Sequence, residues 1–116
     1  MFAILRNEGE ARSYTAGQVV FADGDASDGY MYSVLDGEIE LIKQGSVLET
    51  VGVGGVFGEM AILDHYPRSA TAIAKTSCRL AAIPENRFKT LVAENPKFAL
   101  GMLKLLTERL RRTTFG

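Results

Sequence analysis

The chain predicts a mainly β domain, a sandwich or small barrel closed by two C-terminal helices, and three observations carry that prediction. Ten of its 12 glycines fall before residue 59, so the first half reads as short strands cut by turns. Brief β-rich runs lie between those turns. After Gly58 the pattern shifts to helical spacing toward the C-terminus.

Taken in order, residues 18–22 (QVVFA) form a first β-rich run, closed by the turn pair Asp23-Gly24. Residues 30–35 (YMYSVL) lead into Asp36-Gly37, the strongest two-residue hairpin signal in the chain. Residues 38–43 (EIELIK) alternate polar and apolar, as a half-buried strand does. Gln44-Gly45 turns the chain again and 46–51 returns. Residues 68–74 (RSATAIA) and 78–83 (CRLAAI) make a later pair joined around 75–77. Residues 84–92 read as a helix with Pro84 at its start and Glu85 in its first turn. Asn95-Pro96 then opens a second helix, with Asn95 in the N-cap position. At about 100° per residue, Phe98, Ala99, Met102, Leu103, Leu105, Leu106 and Leu110 share an arc of roughly 160°. A single docking surface needs roughly 100°. Either the surplus meets a second surface, such as another copy of the chain, or the barrel covers it all.

The 116 residues amount to one domain, expected over 1–116 with strands in about 10–83 and helices in about 84–113. Apolar residues make up 47%, charged residues 23%, and the formal net charge is −1. Nothing in that balance draws the protein to nucleic acid or an anionic membrane. Cys78 is the only cysteine and His65 the only histidine, which excludes a Cys-rich zinc site, a cysteine-held cluster and a multi-histidine metal site. No nucleophile elbow appears, so no enzyme is expected. The N-terminus lacks a secretion signal and no apolar run approaches ~20 residues. A cytoplasmic protein without a membrane partner is expected.

The chemistry concentrates in 52–71. Gly54-Gly55 and Gly58 let backbone approach a ligand closely, although a pair such as Gly54-Gly55 is most often a plain turn. Residues 59–63 (EMAIL) fit one helical turn whose first amides face back toward Gly58. Arg68 carries a permanent, forked charge suited to two phosphate oxygens. Read as residues alone, Glu59 is either a hydrogen-bond acceptor for a ligand or a helix-dipole partner. Arg68 is either an anion ligand or a surface partner of Asp64 or Glu59.

The ordered run Phe57-Gly58-Glu59-Met60-Ala61-Ile62-Leu63, then Pro67-Arg68-Ser69-Ala70-Thr71, resembles the phosphate-binding cassette of cyclic nucleotide-binding domains. Such domains occur in bacterial catabolite-activator-type regulators, cyclic-nucleotide-dependent kinases and cyclic-nucleotide-gated channels. Residues 17–25 and 32–41 resemble that family's early strand and hairpin. The resemblance implies a double-stranded β-helix or jelly-roll barrel. It implies that Arg68 neutralises a cyclic phosphate, that Glu59 accepts from the ribose 2′-hydroxyl, and that amides around Gly58, Met60, Ala61, Ser69 and Ala70 complete the cradle. Ser69 after the arginine resembles cAMP-type bacterial regulators, so cAMP is expected ahead of cGMP. Thr113-Thr114 resembles a pair that reaches the base, whereas as residues alone they read first as a frayed tail. Arg109, Arg111 and Arg112 either complement the helix C-terminus or supply a lid. No recognition helix or basic stripe follows the long helix, so direct DNA binding is not expected. The expected role is a sensor whose C-terminal helices move, with a homodimer through the last helix as one partner. The alternatives are the same fold sensing another ligand, or a partner-binding domain with a vestigial pocket.

Overall fold

The computed structural model describes residues 2–115, with side chains through Arg112. A short 3-10 helix, Ala3–Asn7, precedes β1 (Glu10–Tyr14), β2 (Val19–Phe21), β3 (Tyr30–Asp36), β4 (Ile39–Lys43), β5 (Ser46–Val51) and β6 (Val56–Phe57). Then come α1 (Glu59–Asp64), β7 (Thr71–Ala74), β8 (Cys78–Pro84), α2 (Glu85–Glu94) and α3 (Pro96–Phe115). The strands form two antiparallel sheets, ordered β1-β8-β3-β6 and β2-β7-β4-β5. The expected mainly β fold with C-terminal helices is present.

Two cores make three layers. Tyr32, Val34, Phe57, Leu80 and Ala82 of the first sheet meet Ile39, Val51, Ala72 and Ala74 of the second. On the other side of the first sheet, Met31, Val56, Ala81 and Ile83 pack against Leu5, Ile62, Phe88, Leu91, Phe98 and Met102. Strands β3 and β8 therefore bury both faces, which is why their sequences run apolar without alternation.

The Asp36-Gly37 hairpin does not form: β3 pairs with β8 and β6, whereas β4 pairs with β5 and β7. The chain reverses there but changes sheet. The same holds for 75–77, between β7 and β8. The two corners pack together, with Glu38 O accepting from Lys75 N–H at 3.0 Å and Glu38 N–H donating to Thr76 Oγ1 at 3.1 Å. A Cβ on Gly37, at φ +82, would stand 2.3 Å from Ser77 O. A turn signal fixes reversal, and the neighbouring corner decides the pairing. The Gln44-Gly45 hairpin does form: both residues have positive φ, 51° and 80°, and Lys43 pairs with Ser46.

Several boundaries and one cap differ from the expectation. Strand β7 starts at Thr71 rather than 68, because the Arg68 backbone bonds to the 22–29 loop, Arg68 N–H to Asp25 O and Gly24 N–H to Arg68 O, each 2.8 Å. Pro84 ends β8 and caps α2 in extended geometry. Asn95 gives its carbonyl to Ala99 N–H at 3.0 Å, as an N-cap does, but its side chain turns back to donate to Leu91 O at 3.2 Å. It secures the end of α2. Strands β1 and β6 and the 3-10 helix had no clear sequence signal; β1 is largely polar, and β6 is two residues long.

Candidate functional site

The cassette starts beside the two-sheet core, where Gly58 lies against Arg68, Phe21 and Tyr32. Gly58 enters α1 with φ +81, and a Cβ there would lie 2.9 Å from Arg68 Nη1. Glycine is needed here for conformation and for the packing of Arg68. Gly54-Gly55 serves as a turn carrying the chain from β5 to β6: Gly54 N–H donates to Val34 O and Gly55 N–H to Gly52 O, each at 2.9 Å.

Arg68 is buried at 3% exposure. Its guanidinium lies 4.1 Å over the Phe21 ring. Nη1 donates to Gly58 O at 2.9 Å, and Nη2 donates to Asp28 Oδ1 and Tyr30 O, both at 2.8 Å. An arginine has five N–H donors; a second on Nη1 and that of Nε lie outside these three contacts. Asp28 also accepts from the Tyr32 hydroxyl at 3.0 Å. Burial, then the nearby Asp28 charge, pushes that phenol's pKa up. Neither Asp64 nor Glu59 pairs with Arg68; Asp28 does, from the loop before β3.

Glu59 is buried at 2% exposure. Its partner is Arg109 of α3, Nη1 to Oε1 at 2.6 Å. Arg109 also donates from Nε and Nη2 to Glu49 of β5 at 3.0 and 3.1 Å, and from Nη2 to Val56 O at 2.5 Å. Arg112 adds a contact to Glu49 Oε1 at 2.7 Å. One guanidinium thus spans two carboxylates and ties the last helix to β5 and to the cassette. Burial lowers the Arg109 pKa, but bonds and charges from Glu49 and Glu59 outweigh it and raise the value. Burial raises the Glu49 carboxyl, yet Arg109 and Arg112 hold it below the ordinary range.

Met60 is exposed and Ala61 buried in α1, Ser69 is exposed and Ala70 half-buried. Lys43 Nζ donates to Ser69 O at 3.0 Å and Asp23 Oδ2 at 3.3 Å, holding this segment against β4. Thr113 and Thr114 belong to the backbone of α3, but their side chains lie outside the described residues. Of the three arginines, Arg109 and Arg112 reach the site region. Sequence reasoning missed Asp28, Lys43 and Glu49, whose roles depend on contacts across 40, 26 and 60 positions. Among the described residues no group of His, Cys, Asp and Glu could hold a metal. No described helix is long and apolar enough to cross a membrane.

The family model described as Cyclic nucleotide-binding domain matches residues 11–95. The CRP-like cAMP-activated global transcriptional regulator of Mycobacterium tuberculosis is 27% identical over 96% of this chain and 51% of its own length. The chain therefore spans about half of that relative. The crystal structure of Thermus thermophilus catabolite activator protein superposes with a TM-score of 0.81 at 30% identity, covering 95% of this chain and 54% of that one. A structure solved for a cyclic-GMP-dependent signalling pathway in bacterial phytopathogenesis gives 0.78 at 29% identity, covering 93% and 89%.

Proposed function

Because the chain belongs to the cyclic nucleotide-binding domain family, we propose that it is a regulatory sensor that takes a cyclic purine nucleotide at 58–70, without catalysis. One observation carries this reading. A buried arginine and a buried carboxylate stand on either side of Gly58 yet do not pair with each other. That order suits a ligand with an anion at one end and a hydroxyl donor close by. In this reading the remaining Arg68 donors take phosphate oxygens, Glu59 accepts from the ribose 2′-hydroxyl, and amides around Gly58, Met60, Ala61, Ser69 and Ala70 line the cradle. Ser69 supports cAMP as the first ligand. Titration calorimetry with cAMP, cGMP and 5′-AMP tests the proposal: heat with a cyclic nucleotide and little with 5′-AMP is expected. No heat with either cyclic nucleotide at millimolar concentration overturns it.

The output is carried by α3. Arg109 joins that helix to Glu59, so a ligand that engages Glu59 changes the balance holding the helix. Leu100, Leu103 and Leu110 are exposed at 66, 60 and 65%. With Thr107 they repeat at spacings of three and four, the seam of paired helices. The two sheets and α2 leave Leu100 and Leu103 of this face exposed, which favours a second copy of the chain as partner. In this reading the signal passes from α3 to an unknown downstream protein or to a further part of the chain, and this domain does not itself bind DNA.

A further inference from the structure

Ser69 is held from outside through both of its flanking peptides. Arg68 O accepts from Gly24 N–H at 2.8 Å, and Ser69 O accepts from Lys43 Nζ at 3.0 Å. These peptides are trans, and in a planar trans peptide the N–H points opposite to the C=O. The Ser69 N–H therefore points away from Gly24, and the Ala70 N–H away from Lys43. Neither amide has a hydrogen-bond partner among the described residues. Lys43 is itself fixed. It ends β4, one residue past the Ile42–Thr71 pair, and Asp23 Oδ2 accepts a second bond from Nζ at 3.3 Å. Asp23 N–H in turn donates to Thr71 Oγ1 at 2.9 Å. Lys43, Asp23 and Thr71 thus link β4, the 22–29 loop and the start of β7 around the Ser69–Ala70 peptide.

We propose that Lys43 is a positioning residue for the ligand's anion, one that aims the Ala70 N–H and strengthens it as a donor. This rests on the cyclic-nucleotide reading above, in which that amide lines the cradle. A cation bonded to the carbonyl oxygen polarises the whole peptide and leaves more positive charge on the N–H at its other end. The Arg68 carbonyl, by contrast, is held by a neutral amide. Lys43 does not touch the ligand in this arrangement, because Nζ stands on the carbonyl side of the peptide and the anion on the N–H side. Asp23 beside Nζ offsets its charge at longer range. The effect of Lys43 therefore passes through one peptide and falls on the one phosphate oxygen that this peptide's N–H meets.

The test is calorimetry on the wild type and on Lys43→Met, which keeps most of the stem and removes the ammonium. The Lys43 side chain is 43% exposed, so the fold tolerates its loss. The ligands are cAMP or cGMP, whichever the wild type binds more tightly, and the two phosphorothioate diastereomers of that nucleotide. Each diastereomer replaces one exocyclic phosphate oxygen by sulfur, a poor acceptor. Where sulfur faces the Ala70 N–H, that bond is already weak and the substitution removes little more. Lys43→Met should weaken the parent nucleotide about fivefold. The ratio of the two diastereomers' affinities should shift about threefold between wild type and variant. A lysine that only steadies the fold, or acts only through its charge, weakens both diastereomers by one factor and leaves that ratio unchanged. An unchanged ratio or an unchanged affinity for the parent nucleotide each overturn the proposal while leaving the cyclic-nucleotide reading intact. Should neither cAMP nor cGMP bind the wild type, that reading falls and the role of Lys43 with it.

Discussion

Arg109 and Glu59, fifty positions apart, form a buried ion pair, with Nη1 2.6 Å from Oε1. The pair joins the closing helix to the first residue of the cassette helix. It also shares its guanidinium with Glu49, so loss of either end leaves a charge with fewer partners.

Arg109→Ala strands Glu59 at 2% exposure. Removing one partner of a buried pair costs about 3 kcal/mol or more. Urea unfolding should show a loss of that size. The double variant Arg109→Met, Glu59→Gln should recover part of it, because no bare carboxylate then remains at Glu59. A loss below about 0.5 kcal/mol for Arg109→Ala would place the pair with surface bridges instead.

Arg68→Ala should weaken cyclic nucleotide binding by about 2–5 kcal/mol, since a desolvated phosphate loses its charge partner. Asp28→Asn should cost less, because Gly58 O and Tyr30 O still orient the guanidinium. Calorimetry on both variants ranks them, and equal losses would show that Asp28 is as necessary as the arginine.

Stability should fall in acid partly through Glu49. Its folded pKa lies below the ordinary 4.5, so the unfolded chain takes up the proton first as pH drops. The contribution is complete above about pH 4.5 and disappears as pH falls through the folded value. Denaturation midpoints between pH 6 and pH 3, on the order of one unit apart, should show a steeper decline in wild type than in Glu49→Gln. Parallel curves would remove Glu49 from the account.

Ser33 Oγ is buried and has no hydrogen-bond partner among the described residues. It lies on the helix-facing side of β3 beside Met31. Ser33→Ala deletes an unsatisfied polar atom with little change of shape, so it should be neutral or stabilise by about 1 kcal/mol. A raised thermal midpoint is the expected readout, and a clear fall would reveal a partner for that hydroxyl.

Leu103→Glu and Leu110→Glu should shift sedimentation toward monomer while leaving thermal stability nearly unchanged, since both side chains are exposed in one chain. Wild type that sediments as a monomer at all concentrations would remove the paired-helix reading.

The amino-acid sequence alone determined the class of fold, the division into strands and helices, and the ordered cassette from Gly58 to Thr71. Those are local properties. Turn residues, short-range periodicity and backbone freedom act within a few positions, so Gln44-Gly45 could be read as a hairpin directly. The same reasoning failed at Asp36-Gly37, where the partner of β3 is set by the 75–77 corner. Only the tertiary structure decided which charges meet. Arg68 could be singled out for its chemistry, but Asp28 is its partner because the 22–29 loop folds over it through Gly24 and Asp25. Glu59 could be singled out too, while Arg109 and Glu49 join it only because α3 runs back across β5 and the start of α1. A buried charge needs compensation, but nothing local in a chain says which distant residue supplies it.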